Sequence, residues 1–266
     1  MRVALAGACS ALDRCGPALA ASGHEVVPLP STGPLARALE GCDALVNLSS
    51  GRAAAGSRAL DLVRAAREAG VRRFVQRSVS LMYADQGRDW ITERSPLCVT
   101  SLTEPASMDE VAVQTFVSPC RDGIVLRTGM ILGDPGTTRS WLRGVAVRRT
   151  VAGRDEGFAH VVHVDDVASA VHAALEAPSG IYNVGAAPVS RAELWESCLS
   201  SLGRRSMGSG IRSGLAAWRG RRLEPMTRSL RVSSSAFMGT TGWAPRHDVF
   251  DASWLRAALT PPLALR

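Results

Sequence analysis

Hydrophobic positions along the first half of the chain follow two alternating patterns. Short runs of consecutive apolar residues predict buried strands at residues 2–6, 25–29, 43–48, 73–78 and 123–127. Between them, apolar residues three or four positions apart predict helices at residues 12–22, 57–69 and 104–116. Parallel strands need a crossover connection, so strands that alternate with helices predict a doubly wound parallel α/β sheet.

The second half of the chain is less regular. Strands are predicted at residues 161–164 and 181–184, and helices at 167–176, 190–202 and 251–259, with a short helix near 215–218. We expect Asp165 or Asp166 to cap the first of these helices and Ser190 to cap the second. The whole chain is predicted to form one structural unit, with a Rossmann-like core over roughly residues 1–160. Residues 161–266 would supply mixed core elements and a small C-terminal substrate lobe.

Composition adds limits on location and ligands. No apolar run approaches the roughly 20 residues that cross a bilayer, and the first residues do not form a signal peptide, so we expect a cytoplasmic protein with no membrane partner. Six cysteines are scattered without a Cys-x-x-Cys pair, which predicts buried thiols and no metal site or disulfide framework.

The basic residues are unusual because all 31 are arginine and lysine is absent, at a net charge of +7. Eight arginines fall between Arg204 and Arg231, where they could attract an anionic group or simply form a solvated face. No nucleic-acid-binding motif accompanies this charge, so a small-molecule substrate is the expected partner.

Several segments carry a further signal in their order along the chain. Residues 23–26 read GHEV, 69–75 AGVRRFV, 125–127 VLR, 163–168 HVDDVA, 182–185 YNVG and 242–246 GWAPR. Together they resemble the motifs of the extended and atypical short-chain dehydrogenase/reductase superfamily, in particular its NAD-dependent epimerase/dehydratase group. The resemblance covers nearly the whole chain and implies a Rossmann-like sheet with a small substrate lobe. It also implies pairing into a homodimer, since relatives often pair through the helices that flank the fourth and fifth strands.

The cofactor loop departs from the motif of that superfamily. Gly7, Ser10 and Asp13 occupy the three glycine positions, and a carboxylate that pointed inward at Asp13 would repel pyrophosphate. The second strand ends in Val-Pro-Leu-Pro, without the acidic or arginine residue that reads the ribose. These departures put NAD(P) binding in doubt, so we expect a site that can lack a cofactor.

The catalytic tyrosine–lysine pair of the superfamily is missing as well. Lysine is absent, and the two tyrosines, Tyr83 and Tyr182, both belong to other motifs. Candidates for a substitute acid or base are Ser78, Ser80, Tyr83, Asp109, Glu110 and His160, with Ser78 and Ser80 on one strand face. Candidates for contact with substrate are Arg127, Arg139, Trp141 and Arg143. His160 and His163 would point to opposite faces of a strand, so no metal is expected from that pair.

Because the tyrosine–lysine pair is missing, we expect the site to catalyse a different reaction from that of the superfamily. The first hypothesis is a redox-neutral step, such as cyclisation, dehydration, isomerisation or elimination, on a small molecule of bacterial specialised metabolism. The bias toward arginine and alanine, typical of GC-rich genomes, favours that setting. The alternatives are an NAD(P)-dependent oxidoreductase or epimerase with substituted catalytic residues, and a non-catalytic ligand sensor or scaffold.

Overall fold

A computed structural model of the chain describes residues 1–7, 10–30, 33–49, 58–148, 156–203, 224–256 and 259. The side chains of residues 10–12 and 145–148 lie outside that description, as does the helix predicted near residues 215–218. Most of the arginine cluster between Arg204 and Arg231 also falls outside it.

The predicted doubly wound sheet is confirmed. Six parallel strands stand in the order β2-β1-β3-β4-β5-β9. The strands are β1 (Arg2–Ala6), β2 (Glu25–Pro28), β3 (Ala44–Asn47), β4 (Arg73–Val79), β5 (Asp122–Thr128) and β9 (Gly180–Val184). The chain moves from β1 outward to β2 and then returns to β3 on the other side of β1. Ligands of such sheets bind at the carboxyl ends of the strands next to this reversal.

Helices cover both faces of the sheet, which is why its strands are almost continuously apolar. One face packs against α1 (Ser10–Ala21) and α6 (Val164–Ala174), through residues such as Leu5, Val46 and Leu126. The other packs against α3 (Arg58–Glu68) and α4 (Glu104–Phe116), through residues such as Leu45, Phe74 and Val125. A short helix, α2 (Leu35–Ala38), follows β2.

A smaller lobe is built from pieces of the second half of the chain. Strand β6 (Met130–Leu132) pairs with β8 (Val161–His163), and β7 (Phe158–Ala159) pairs with β10 (Val189–Ser190). Helices α5 (Pro135–Arg148), α7 (Arg191–Ser201) and a single turn at Ser253–Arg256 surround these strands. They share a third core that includes Leu132, Leu142, Val161 and Trp254.

Two predictions in the second half of the chain need correction. Helix α6 begins at Val164 rather than Val167, and its cap is His163, whose Nδ1 accepts the Asp165 N–H at 3.3 Å. Asp166 cannot be the cap because its carboxylate accepts the backbone N–H groups of Arg246 and His247. The last predicted helix begins at Ser253 rather than at Asp251. The Ser190 cap is confirmed by a 3.1 Å bond from the Glu193 N–H to its Oγ.

The cysteine prediction holds in part. Cys15, Cys42 and Cys198 are buried free thiols, but Cys98 and Cys120 are exposed. Among the described residues, no helix combines the length and the apolarity that a membrane span requires.

Candidate active site

Polar side chains replace apolar ones at the carboxyl ends of the central strands, on the face that packs against α3 and α4. Asn47 on β3 donates to Gln76 Oε1 on β4 at 2.8 Å, and Gln76 Nε2 donates to the Ser49 carbonyl at 3.0 Å. Ser78, Arg127 and Asn183 continue this polar row on β4, β5 and β9 and are all buried. Buried polar groups are costly without partners, so this row must be satisfied internally.

The centre of the row is an ion pair between α4 and β5. Arg127 donates through Nε to Glu110 Oε1 at 2.9 Å and through a terminal nitrogen to Oε2 at 2.7 Å. Ser78 Oγ donates to the same Oε1 at 2.6 Å. Burial opposes the charge of Arg127, but its hydrogen bonds to Glu110 and the attraction of that carboxylate raise the pKa of the guanidinium. Both oxygens of Glu110 are therefore occupied by charge-assisted bonds.

Tyr83 extends this network toward β9. Its hydroxyl donates to Asn183 Oδ1 at 2.7 Å and accepts a bond from Arg127 at 3.0 Å. The Arg127 guanidinium also lies 5.0 Å from the centre of the tyrosine ring, in a cation–π contact. Burial raises the pKa of Tyr83, and the charge of Arg127 opposes that rise only partly. The phenol is thus held neutral, with its hydroxyl fully engaged.

The structure thus joins four predicted site residues: Ser78, Tyr83, Glu110 and Arg127. Asp109 is buried next to Glu110 on α4. Ser80 is buried in a 3-10 turn, because β4 ends at Val79, so the two serines do not share a strand face as expected. Asn47, Gln76 and Asn183 were missed, although polar residues within otherwise apolar strands could have signalled them.

His160 lies apart from this network, between β7 and β8. Its side chain is buried, and neither ring nitrogen has a hydrogen-bond partner among the described residues. Burial lowers the pKa of the imidazole to about 3, so the ring is neutral. The ring lies directly against the backbone at Gly185, where a Cβ atom would be 2.0 Å from Nε2. His163 faces elsewhere, toward His247, which agrees with the expectation that the two rings do not meet.

The predicted substrate residues divide between the network and α5. Arg127 is committed to Glu110, while Arg139, Trp141 and Arg143 lie on α5. Trp141 packs against the third core, Arg139 is half-buried and Arg143 is exposed.

Gly7, the first residue after β1, lies close to the end of β3, as the first glycine of a dinucleotide-binding fold does. Gly7 has φ +134°, and a Cβ there would lie 3.0 Å from the Ser49 backbone nitrogen, so only glycine fits between the ends of β1 and β3. Ser10 is the first residue of α1, and Asp13 is exposed in its first turn. The Asp13 carboxylate therefore points to solvent, where it favours the helix N-terminus without facing an anion inside the turn.

Comparison with known proteins places these features in context. No family model matches the chain. A Streptomyces protein named 3-diazoavenalumate denitrifying reductase is 31% identical over 202 residues, which cover 70% of this chain and 65% of the reductase. The chain therefore spans less than two thirds of that relative.

Solved structures match over nearly the full length. The human epimerase family protein SDR39U1 with NADPH has a TM-score of 0.75 at 22% identity, with 97% of each chain covered. The dTDP-glucose 4,6-dehydratase DesIV of Streptomyces venezuelae, with NAD, has a TM-score of 0.72 at 18% identity and covers 97% and 95% of the two chains. The predicted resemblance to the epimerase/dehydratase group is thus confirmed at the level of fold.

These structures also correct the cofactor prediction. The expectation that the site holds no cofactor is wrong for this fold, because similar structures hold NADPH or NAD. Gly7 keeps its close approach to β3, and Asp13 is exposed, so its charge does not point inward.

Proposed function

We propose that this chain is an enzyme, an NADP(H)-dependent reductase of the short-chain dehydrogenase/reductase type that acts on a small molecule. The observation that carries this proposal is the close approach of Gly7 to the end of β3, next to the reversal of strand order where folds of this kind bind dinucleotides. The named relative supports reduction as the reaction, because it too is called a reductase.

Several residues would hold the dinucleotide. Gly7 lets the backbone approach closely, and the N-terminus of α1 would face the pyrophosphate with its positive end. The Asn47–Gln76 pair fixes the end of β3 against β4, so that the Ser49 backbone stays at the sheet edge.

Arg58 favours the phosphorylated form of the cofactor. It begins α3, yet its terminal nitrogen donates to the Pro30 carbonyl at 3.2 Å, just beyond the end of β2. In dinucleotide-binding folds this end of the second strand is where the adenosine ribose is read. The guanidinium carries five N–H donors, of which the bond to the Pro30 carbonyl uses one. A guanidinium suits a ribose phosphate, and no acidic residue stands at the end of β2 to select the unphosphorylated ribose.

The absent tyrosine–lysine pair limits the substrate. When bound, the nicotinamide supplies a hydride. Tyr83 and Glu110 are buried with their polar atoms engaged, and Tyr182 donates its hydroxyl to the Pro178 carbonyl at 3.1 Å. Since no tyrosine is free to donate a proton, the hydride acceptor would be an electrophile that needs no tyrosine acid. The diazo compound in the relative's name is a suitable probe of that class.

In the first experiment, the purified chain is titrated with NADPH and with NADH, and calorimetry measures the heat of binding. We expect NADPH to bind more tightly. Arg58→Ala should weaken NADPH about 10- to 100-fold, as expected for loss of charge-assisted hydrogen bonds, and leave NADH nearly unchanged. Arg64→Ala, an exposed arginine on the same helix, is the matched control and should change neither affinity. Equal loss of both cofactors in Arg58→Ala would refute the phosphate contact.

The second experiment tests the reaction. The chain is mixed with NADPH and 3-diazoavenalumate, and the nicotinamide absorbance is followed. Stoichiometric oxidation of NADPH supports a reductase. Conversion of the compound with no net oxidation would instead favour the redox-neutral step predicted from the sequence, with the nicotinamide bound and regenerated. Failure of both nucleotides to bind at millimolar concentration would overturn the proposal.

A further inference from the structure

A cluster of three metal-binding side chains lies on the opposite face of the sheet from the polar network. It consists of His163 at the end of β8, Asp165 in the first turn of α6, and His247 in the loop after the helix Ser235–Thr241. One potential ligand atom from each residue lies within 4.8 Å of the other two. Among the described residues, this is the one group of three or more such side chains close enough to share an ion.

The His247 ring is oriented by a buried carboxylate. Its Nδ1 lies 3.2 Å from Asp166 Oδ2, and Asp166 is only 1% exposed. Asp166 cannot turn away, because its two oxygens also accept the backbone N–H groups of Arg246 and His247 at 2.8 Å and 3.0 Å. A carboxylate that holds one nitrogen of an imidazole leaves the other free for a metal, as is usual for histidine ligands. His247 would therefore bind through Nε2.

His163 and Asp165 supply the other two atoms. His163 Nδ1 is 3.6 Å from Asp165 Oδ2, close to the separation of two ligands on one tetrahedral ion. The other oxygen, Oδ1, faces Arg14 at 3.7 Å, so Arg14 and an ion would use different oxygens. The bond from the Asp165 N–H to His163 Nδ1 is 3.3 Å long and weak enough to be exchanged for a metal bond.

The surroundings hold both rings in place. The two imidazoles are stacked with centroids 3.8 Å apart, and the Trp254 ring packs edge-on against both. Gly133 provides the space for His163, since a Cβ there would lie 2.3 Å from its Nε2.

We propose that His163, Asp165 and His247 bind one divalent transition-metal ion, with Zn²⁺ as the probe, and that water completes the coordination. Two imidazoles and a carboxylate form a ligand set suited to zinc and its neighbours in the first transition row. The bound ion would join the loop that carries His247 to the start of α6. It would stabilise the folded chain by an amount that grows with the logarithm of its free concentration once that exceeds the dissociation constant.

The test is a calorimetric titration of the metal-free full-length chain with Zn²⁺ alone. Cys98 and Cys120 are exposed thiols, so both are replaced by serine in every sample to remove competing sites. We expect one ion per chain and a higher melting temperature with zinc. His247→Gln and Asp165→Asn should each weaken binding by about 100-fold or more, since loss of a ligand should cost at least as much as the roughly 10- to 100-fold typical of an outer-shell partner.

The matched control is His172→Gln. His172 and His24 form a second pair of neighbouring histidines, with ring centroids 5.3 Å apart, for which the described part of the chain supplies no third ligand within reach. This variant should bind zinc as the parent does. If His247→Gln fails to fold, Asp165→Asn still tests the proposal, because Asp165 is exposed and its replacement should leave the fold intact. No binding by the parent, unchanged binding in Asp165→Asn, or equal loss in His172→Gln would each overturn the proposal.

Discussion

At the scale of single residues, the Glu110–Arg127 pair shows how a charge can be held inside this fold. Its side chains are only 6% and 4% exposed, so both charges have lost most of their water. The loss is offset because Ser78 and Tyr83 also contact the pair and leave few polar atoms unsatisfied. Such a pair adds little compared with apolar packing, but removal of one partner is costly.

Glu110→Gln should therefore destabilise the chain strongly. The neutral amide keeps the size of the side chain but leaves the buried Arg127 charge unpaired, at a cost of about 3–5 kcal/mol. Urea unfolding gives this value. The matched control is Glu25→Gln in the exposed Arg2–Glu25 pair, which should change stability by less than about 1 kcal/mol. Similar losses of stability in the two variants would contradict the burial of the Glu110–Arg127 ion pair.

His160 makes a second residue-scale prediction, for pH. Its folded pKa of about 3 lies below its ordinary value of 6.5, so the unfolded chain binds the extra proton between these values. The His160 contribution is complete above about pH 6.5 and is lost as the pH falls toward 3. His160→Leu should remove this dependence, so wild type should lose stability relative to the variant by up to about 1.4 kcal/mol per pH unit. Urea unfolding at pH 7 and pH 5 measures the difference, and parallel curves would contradict the prediction.

At the scale of elements, the junction of β1 and α1 depends on one glycine. Gly7→Ala should cost roughly 2–5 kcal/mol, from a backbone conformation that alanine rarely adopts and from crowding against Ser49. Gly23→Ala is the control, since Gly23 also has positive φ but has no atom within 4 Å of its Cβ position. It should cost about 1–2 kcal/mol. Urea unfolding compares the two variants. If the Gly7 variant is as stable as the Gly23 variant, the proposed crowding against Ser49 is contradicted.

The elements also show what the sequence could predict. Strand β1 and helix α4 have the predicted bounds, because apolar periodicity and local turn residues determine both. The start of α6 was predicted wrongly because Asp166 is used by the distant backbone at Arg246 and His247. The partners of Glu110 were not predictable for the same reason, since Ser78 and Arg127 reach it only after β4, β5 and α4 have packed.

At the scale of the whole molecule, charge should influence how the cofactor arrives. The chain carries a net charge of +7, and NADPH is an anion, so long-range attraction should speed their encounter. Stopped-flow tryptophan fluorescence should show an association rate that falls on the order of tenfold as salt rises from low to physiological concentration. The dissociation rate should change much less. An association rate independent of salt would mean that the net charge does not accelerate the binding of NADPH.

The polar network beneath the sheet edge has a consequence for how such a protein can evolve. The atoms of Ser78, Glu110, Arg127, Tyr83 and Asn183 bond to one another, so the support of the edge does not depend on any substrate. Residues at the sheet edge that lie outside this network can then change without removing that support. A fold supported in this way can lose one chemistry and acquire another while it stays folded.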